Sequence, residues 1–357
     1  MEKQVLTNSK RASFTRCRRR YQYEHIEKLS PRWEGVPLRW GTLMHLIIAD
    51  LWTGDEWEPT IAAWVDAALV ALADAQEATT TEDEIHELGQ LAFKLAQRYE
   101  QKYLDDRTRY EVLAIEQAFK LPVRVPCKEC WGAGCQACGG IGFGRANPIW
   151  EYAGKIDRIV RDRVTGLAWV HELKTTTLTD PDKFTVNLNM NAQPRGYVWA
   201  AAQLLDEPIH GVLYDVIRRK RPAVPEPLKR GGLSKAKGTD TTYELYAQAI
   251  KDNGLDTADY ADVLAMLQAR GDTFLYRHEV YIPVRDLRDF EAEIWQIGRD
   301  ISGTDYYYRN LEACSTPGRT CPFRRICLED DELARRSFVV RDDALPEITD
   351  GELKGGE

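Results

Sequence analysis

The sequence predicts an α/β fold in which an N-terminal helical region precedes a mixed-sheet core. The first hundred residues carry apolar positions at helical spacing, and residues 59–104 are rich in Ala, Leu, Glu and Gln. From residue 110 onward, segments with the alternation of strands are interleaved with segments typical of helices. This order, helices first and then strands with helices between them, favours an α/β core with a helical cap.

Three helical stretches precede the first predicted strand. In residues 9–29, aromatic and apolar side chains recur at helical spacing among basic residues. Residues 41–53 are predicted as a buried helix that opens after Gly41. Residues 59–104 are predicted as two helices joined near the segment ATTTEDE.

The core begins with a strand and then alternates. The predicted strands are residues 110–120, 150–161, 167–176, 208–218 and 274–283. A helix begins near Gln193, and residues 243–270 and 284–302 also have helical patterns. Residues 219–242 are rich in Pro, Gly and Lys and lack apolar periodicity, so they are predicted as a mobile loop.

The composition is that of a soluble globular protein, with 43% hydrophobic and 29% charged residues. No apolar run approaches the roughly 20 residues that a membrane-spanning helix needs. The N-terminus is polar and basic and lacks the apolar segment of a secretory signal. We therefore expect a cytoplasmic protein with no membrane partner.

The net charge of −8 does not by itself indicate a nucleic-acid binder, but local patches decide such binding. The first basic patch consists of Arg16, Arg18, Arg19 and Arg20. The second consists of Arg218, Arg219, Lys220, Arg221, Lys229, Arg230, Lys235 and Lys237. An isolated basic run is more often a solvated surface, so these patches favour DNA contact only if the chain also carries residues suited to phosphate chemistry.

The central chemical signal is the segment GKID ending at Asp157, followed after a turn by the segment HELK at 171–174. Because side chains alternate along a strand, Glu172 and Lys174 point to one face, and a hairpin partner brings Asp157 beside them. Two adjacent carboxylates cost energy unless a cation binds between them, and Mg²⁺ prefers such oxygen ligands. The cation would polarise a phosphate and lower the pKa of a bound water, and Lys174 would orient that water or neutralise transition-state charge.

Each part of this pattern also has an ordinary structural interpretation. The exposed face of a hairpin often carries Asp, Glu and Lys at such spacing. His45, on the apolar helix that opens at Gly41, is compatible with a satisfied core histidine. Gln193 and Tyr197 share one helix face at i, i+4 spacing, which is also common in surface packing.

In order, the segments GxxxH at 41–45, GxxD at 154–157, ExK at 172–174 and QxxxY at 193–197 resemble the RecB-type exonuclease branch of the PD-(D/E)XK nucleases. CRISPR-associated adaptation nucleases and many phage recombination exonucleases belong to that branch. The segment SFTRCRRRYQYEHIEKL is similar to the family's opening, and the resemblance covers about residues 9 to 330. It implies a restriction-endonuclease-like mixed sheet.

The resemblance also implies roles for individual residues. The implied ligands of Mg²⁺ or Mn²⁺ are His45, Asp157 and Glu172. The Leu173 carbonyl is a further candidate ligand, and Lys174 is the implied catalytic lysine. Gln193 and Tyr197 would position DNA or the lysine. Ile156 stands where the family name has Pro, a difference that is common in this branch.

Four cysteines are split between the two ends of the chain: Cys17, Cys314, Cys321 and Cys327. Clustered cysteines in a cytosolic protein favour metal over disulfides. Four thiolates suit an iron–sulfur cluster, and zinc accepts the same set. The resemblance favours [4Fe–4S], because the iron–sulfur members of the branch split their cysteines in this way. The cluster would clasp the N-terminal helix to the C-terminal segment across a long stretch of chain.

A tandem CxxCxGxG repeat in mid-chain supplies the other cysteines: Cys127, Cys130, Cys135 and Cys138. Each CxxC turn presents two thiolates, so two turns complete the tetrahedron that Zn²⁺ prefers. The repeat resembles half of the cysteine-rich zinc domain of the DnaJ chaperones, from which we take only zinc binding. Its place between two predicted strands indicates an inserted zinc knuckle that either stabilises a long loop or contacts DNA or a partner.

These predictions divide the chain into five parts. They are an N-terminal helical part with the first core strand (1–126), the inserted zinc knuckle (127–145), the nuclease core (146–302), an iron–sulfur segment closing onto Cys17 (303–335) and an acidic disordered tail (336–357).

The predicted function is a metal-dependent deoxyribonuclease, an exonuclease acting at DNA ends or single strands in recombination, repair or replication. The chain has no GxxxxGK[ST] phosphate loop, so DNA unwinding would come from a helicase partner, and a recombinase is the other expected partner. The alternative is a non-cutting iron–sulfur scaffold that binds DNA and recruits such a partner. A chaperone or redox role leaves the ordered motifs unexplained.

Overall fold

The structure is a computed structural model that describes residues 4–32, 36–73, 80–229, 231–316, 319–329 and 332–341. Its strands are β1 (Gln4–Thr7), β2 (Leu29–Pro31), β3 (Tyr110–Pro126), β4 (Phe143–Asp162), β5 (Ala168–Thr176), β6 (Ile209–Arg218), β7 (Leu275–Tyr281), β8 (Ser315–Thr316), β9 (Arg319–Thr320) and β10 (Phe338–Val340). Six of them form one mixed sheet in the order β1-β4-β5-β6-β7, with β3 paired to β4. This mixed sheet has the architecture of a restriction-endonuclease-like fold.

The helices lie on both sides of this sheet. They are α1 (Asn8–Arg16), α2 (Arg18–Tyr21), α3 (Val36–Thr53), α4 (Glu58–Ala73), α5 (Glu82–Lys102), α6 (Asp106–Arg109), α7 (Pro181–Asn189), α8 (Gln193–Leu205), α9 (Tyr243–Asp252), α10 (Ala261–Arg270), α11 (Val284–Ser302), α12 (Arg324–Leu328) and α13 (Glu332–Arg335). Helices α8 and α11 pack on one face of the sheet, and α3, α4 and α5 cover the other.

Alternation along β5 builds these two cores. Ala168 and Val170 are buried on the side of α8 and α11. Trp169 and Leu173 are buried on the side of α3 and α5. Because neighbouring residues of a strand point to opposite faces, Glu172 belongs to the first side.

The predicted elements of the core correspond to β3 through β7, α8 and α11. The break predicted in residues 59–104 also occurs, because α5 starts with a capping box. The Thr81 side chain accepts from the Glu84 amide, and the Glu84 side chain accepts from the Thr81 amide. The stretch at 243–270 is two helices, α9 and α10, joined by a short 3₁₀ turn.

Residues 219–242 contain no helix or strand in their described part, but this segment does not extend freely into solvent. Leu233 is 3% exposed and packs in a small core with α9 and α10. Its amide donates to the Tyr260 hydroxyl at 3.0 Å, and the Tyr246 hydroxyl donates to the Ser234 carbonyl. The second half of the predicted mobile loop is therefore packed against the insertion between β6 and β7.

The two ends of the chain meet. β10 pairs antiparallel with β2, so Phe338 lies opposite Pro31. Part of the predicted disordered tail is thus a strand, and its Phe338 side chain is buried in a cluster with Leu29 and Phe323. The rest of that tail, 342–357, lies outside the described residues. Among the described helices, each is too short or too polar to cross a membrane.

Candidate active site and metal centres

The candidate active site lies where β4 changes partners. On one edge of β4, β1 pairs with Trp150 through Ala153, and β5 pairs with Arg158 through Arg161. Asp157 falls in the interval between these two partners. In this interval the backbone on that edge of β4 has no partner strand. This leaves a gap in the sheet between β1 and β5.

Four side chains meet at this gap. The Leu173 amide donates to Asp157 Oδ2 at 3.1 Å, so the carboxylate replaces a missing partner strand. His45 Nδ1 lies 3.0 Å from the same oxygen. Lys174 Nζ donates to Glu172 Oε1 at 2.6 Å. The structure therefore brings together the His45, Asp157, Glu172 and Lys174 side chains that the motifs singled out.

The first turn of α8 extends this group. Lys174 Nζ also donates to Gln193 Oε1 at 3.0 Å, and Gln193 Nε2 donates to the Tyr197 hydroxyl at 2.8 Å. Gly154 allows the close approach of α8, because a Cβ there would lie 2.8 Å from the Phe119 ring and 3.3 Å from the Tyr197 ring. The lysine is thus held between a carboxylate and an amide on the helix.

The charges of the site shift one another's pKa values. Burial and the neighbouring Asp157 raise the pKa of Glu172. Burial also acts to raise the pKa of Asp157, but the adjacent His45 outweighs it and holds that pKa below its usual range. For Lys174 burial acts to lower the pKa, and Glu172 outweighs it, so the pKa is raised. The aspartate and lysine are therefore charged at neutral pH.

One atom of the site is left for a ligand. Glu172 is 3% exposed, and its Oε2 has no hydrogen-bond partner among the described residues. A buried carboxylate oxygen without a partner is costly unless a cation binds it. Asp157 is near enough to raise the pKa of Glu172, and the chemistry of these two carboxylates with the His45 imidazole suits a divalent cation such as Mg²⁺ or Mn²⁺.

Sequence reasoning missed one neighbour of this group. Tyr214 on β6 is the register partner of Glu172 in the parallel β5–β6 pair. Its hydroxyl is buried and has no hydrogen-bond partner among the residues described. Burial and the nearby Glu172 raise its pKa. No local pattern marks this tyrosine, because only the register between the two strands places it here.

The opposite face of β5 carries a second buried charged cluster. His171 Nε2 lies 2.7 Å from Asp215 Oδ2, and Arg277 Nε donates to Asp215 Oδ1 at 2.6 Å. Arg277 Nη2 donates to Asp106 Oδ2 at 2.6 Å, and the Tyr99 hydroxyl donates to Asp215. This cluster joins β5, β6 and β7 to α5 and α6.

The mid-chain cysteines form a compact four-sulfur group between β3 and β4. All four sulfurs of Cys127, Cys130, Cys135 and Cys138 lie within 4.8 Å of one another. The Cys127–Cys135 sulfurs are 3.9 Å apart, and the Cys130–Cys138 sulfurs are 3.7 Å apart. A tetrahedral site with Zn–S bonds of about 2.3 Å requires sulfurs about 3.8 Å apart. The group therefore fits a Zn²⁺ ion.

Backbone geometry sets up this group and docks it on α11. Gly142 N donates to Cys138 Sγ at 3.2 Å, and hydrogen bonds to this sulfur help lower its pKa to about 6. The Trp131 and Trp295 rings lie 6.0 Å apart, and Arg288 Nη1 donates to the Ala133 carbonyl at 3.2 Å. The knuckle is thus fixed to the helix that packs on α8.

The terminal cysteines lie around one short segment. The Asn310 amide donates to Cys17 Sγ at 3.4 Å, and Cys314 Sγ donates to the Asn310 carbonyl at 3.7 Å. The Cys321 amide donates to the Cys314 carbonyl at 2.8 Å. Burial and the charges of Cys17 and Cys314 raise the pKa of Cys321 and of Cys327, with basic neighbours acting to lower it. The fold brings the split cysteines of the two ends into one region.

Some residues of the two basic patches are buried or paired with carboxylates, which the sequence does not indicate. Arg218 is 2% exposed and bonds Asp240 through both terminal nitrogens, so its assignment to a surface patch is wrong. It still belongs to β6 and points into the fold. Lys220 also pairs with Asp240, and Arg20 pairs with Glu24.

A mixed sheet that opens to present two carboxylates, an imidazole and a lysine defines a hydrolase site of the metal-dependent nuclease class. The family model described as the PD-(D/E)XK nuclease superfamily matches residues 5–328. This match covers nearly the whole chain, and the chain belongs to that superfamily. Its members are metal-dependent nucleases that use Mg²⁺ or Mn²⁺. A comparison with curated proteins gave no match.

Proposed function

We propose that this nuclease is a DNA exonuclease of the RecB-type branch, cutting phosphodiester bonds at DNA ends or in single strands during recombination, repair or replication. The observation that carries the proposal is the buried Glu172 Oε2, which has no hydrogen-bond partner among the described residues, while the other oxygen of this carboxylate is bonded to Lys174. The order of the motifs from His45 to Tyr197 supports the exonuclease branch.

The proposed work of the site residues follows from their contacts. His45, Asp157 and Glu172 would hold a divalent cation, with the Leu173 carbonyl as a further candidate. When bound, this cation would polarise the phosphate and lower the pKa of an attacking water. Lys174 is held charged by Glu172, so it places a positive group where charge develops on the phosphate.

Two residues of α8 complete the proposed arrangement. Gln193 accepts a bond from Lys174 and donates to Tyr197, so it fixes the direction of the ammonium group. Tyr197 holds the amide in the orientation that this requires. Their role is positioning the lysine, because both side chains act through its hydrogen bonds.

End-labelled DNA tests the function directly. Purified protein with Mg²⁺ or Mn²⁺ should degrade single-stranded or duplex substrates labelled at the 5′ or 3′ end, and Lys174→Ala should not. Lys102→Ala is a matched control, because Lys102 is also a paired lysine, bonded to Asp272 at 2.8 Å outside the site. Equal activity of wild type and Lys174→Ala would contradict the nuclease mechanism. DNA binding without cutting by wild type would favour the scaffold that recruits a helicase or recombinase.

We further propose that Cys17, Cys314, Cys321 and Cys327 hold a [4Fe–4S] cluster. The hydrogen bonds that join Cys17, Cys314 and Cys321 around Asn310 support this, as does the resemblance of the four cysteines to the split set of the branch. Protein purified without oxygen should be brown, and Cys321→Ser should lose the colour. Colourless protein with two zinc ions per chain would contradict the cluster and favour zinc at both sites.

The mid-chain knuckle is proposed to hold one structural Zn²⁺. Metal analysis should find one zinc per chain, and Cys130→Ser should lose it while keeping the brown colour. A zinc content unchanged by Cys130→Ser would count against this site. Because the knuckle packs on α11 through Trp131, its loss should also lower the melting temperature.

The exposed residues of the second basic patch are proposed to contact the DNA backbone. Arg219 lies beside the end of β5, since its amide donates to the Thr176 carbonyl at 2.8 Å. Replacing Arg219, Arg221 and Lys229 by Ala should weaken DNA binding and flatten its salt dependence, by a slope of about 0.7 to 0.9 per lost phosphate contact. An unchanged salt slope would rule this contact out.

A further inference from the structure

We propose that Tyr306 and Tyr308, with the arginines beside Cys17, form a surface that binds single-stranded DNA by stacking on its bases and contacting its phosphates. This inference rests on the proposed function, because it gives the nuclease a second contact with its substrate. It concerns the segment between α11 and Cys314, which the catalytic motifs do not include.

Two tyrosine rings of this segment are open to solvent. Tyr306 is 71% exposed and Tyr308 is 52% exposed. Tyr307 between them turns inward, where its ring lies 6.3 Å from the Tyr21 ring with 19° between the planes. The inner ring anchors the segment, and the alternate residues on each side of it are left to present their aromatic faces.

The backbone that carries these rings is held from several directions. The Arg19 amide donates to the Tyr308 carbonyl at 3.0 Å. Asn310 Nδ2 donates to the Arg16 carbonyl at 2.9 Å. These bonds tie the segment to α1 and α2, so the backbone that carries the rings does not need to be ordered when a ligand binds. A preorganised surface of this kind loses less entropy on binding.

Two arginines lie near the Tyr308 ring. The Arg18 guanidinium lies 5.8 Å from the centre of the Tyr308 ring, and Arg309 is exposed beside it. Asp305 and Glu312 are exposed acidic residues of the same stretch. A positive net charge there therefore depends on the arginines of the first basic patch. Exposed aromatic rings interleaved with arginines are the pattern by which proteins bind single strands without sequence preference.

The structure favours a single strand over a duplex. Stacking on a side chain requires an unpaired base with an open face, and the bases of a duplex are already stacked on one another. Along the chain, this surface also follows a β-strand that pairs with the active-site strand β4. Helix α1, which ends at Cys17, follows β1 directly, and β1 pairs with β4 just before Asp157.

Fluorescence anisotropy with a labelled oligothymidylate, without added Mg²⁺ or Mn²⁺, tests the proposal on the full chain. The double variant Tyr306→Ala/Tyr308→Ala should bind the oligonucleotide at least roughly tenfold more weakly than wild type. The double variant Tyr306→Phe/Tyr308→Phe should bind as wild type, since it keeps both rings. Tyr243→Ala, an exposed tyrosine of α9 at 37%, is the matched control and should change nothing.

The same measurement on a blunt duplex separates stacking from general attraction. Duplex affinity should be equal for wild type and the alanine variant. Unchanged single-strand affinity in the alanine variant overturns the proposal, as does an equal loss for the duplex or for the phenylalanine variant. An apolar protein or membrane partner at this surface would give the first of these results. Tyrosine-dependent binding by a chain that does not cut DNA with Mg²⁺ would leave this inference standing and refute the proposed nuclease function.

Discussion

The two faces of β5 carry two buried groups of charges that are built from adjacent residues and differ in one respect. On one face, Glu172 and Lys174 belong to the candidate active site. On the other face, His171 belongs to the cluster around Asp215 and Arg277. Both groups pair carboxylates with basic side chains, and both lie inside the sheet.

They differ in how completely the hydrogen bonds of one carboxylate in each group, Asp215 and Glu172, are satisfied. Asp215 is 0% exposed and accepts from His171, Arg277 and Tyr99, so both of its oxygens are bonded. Glu172 is nearly as buried, but its Oε2 has no partner among the described residues. The satisfied carboxylate of Asp215 stabilises the fold, whereas we propose that the unsatisfied carboxylate of Glu172 keeps an oxygen available for a cation. Burial of charge alone does not distinguish these roles.

The largest expected effect is on stability, at the satisfied cluster. Asp215→Ala leaves Arg277 and His171 buried without their shared partner, and we expect a loss of about 3–5 kcal/mol in the free energy of unfolding. Urea denaturation measures it. Asp286→Ala is the control, since Asp286 is about one-third exposed in its pair with Arg195, and it should cost less than about 1 kcal/mol. Similar losses for both variants would remove the distinction between the two faces.

The next effect is on rate, at the unsatisfied cluster. Lys174→Ala should lower the rate of DNA cleavage by about 10²–10³-fold, because it removes a positive group placed at the reacting phosphate. Its free energy of unfolding should change much less than that of Asp215→Ala. Single-turnover cleavage and urea denaturation on the same preparations check both statements. Inactivity that came with a loss of several kcal/mol would mean that the lysine supports the fold and not the chemistry.

Much of the fold follows from local pattern. The five long core strands have the alternation of strands, and α5 has its capping box written in the sequence. β1 and β2 have four and three residues, too few for alternation to be recognised. Helix α7 was missed although the sequence carries a start signal for it. Asp180 caps this helix, and Pro181 occupies its first turn.

Part of the candidate site could also be predicted from local sequence pattern. Glu172 and Lys174 are two residues apart, so their shared face follows from strand geometry alone. The cluster around Asp215 depends on register, because Asp215 meets Arg277 only as its partner across β6 and β7. Arg218 shows the same limit, since the predicted strand 208–218 includes it but a basic run does not reveal that its side chain is buried and bonded to Asp240.

A divalent cation should stabilise the protein, and only through the Glu172 face of β5. At a concentration of 100 times its dissociation constant, Mn²⁺ should add about 2.7 kcal/mol to the stability of the wild type. Glu172→Gln should lose most of this gain, since it neutralises the carboxylate that has a free oxygen. The control is Glu207→Gln, a surface carboxylate paired with Arg161, which should keep the full gain. The thermal shift with and without Mn²⁺ measures it, and an equal shift in all three proteins would place the cation elsewhere.

The smallest expected effect is the pH dependence, and its sign differs between the two faces. The pKa of Glu172 is raised, first by burial and then by Asp157, so its contribution to stability is present below the usual glutamate value and is lost as pH rises through the folded value. The pKa of His171 is lowered, mainly by burial, so protonation costs stability as pH falls below about 6.5.

Without added cation, the free energy of unfolding of Glu172→Gln relative to that of wild type should therefore increase as the pH rises, by at most about 1.4 kcal/mol per pH unit for one proton. Both proteins should share the loss on the acid side, because His171 and Asp215 are intact in each. Urea denaturation at several pH values between 5 and 8 gives the two curves. Parallel curves would show that ionising Glu172 costs no stability in the metal-free protein. The contrast between the two faces of β5 would then rest on hydrogen bonding alone.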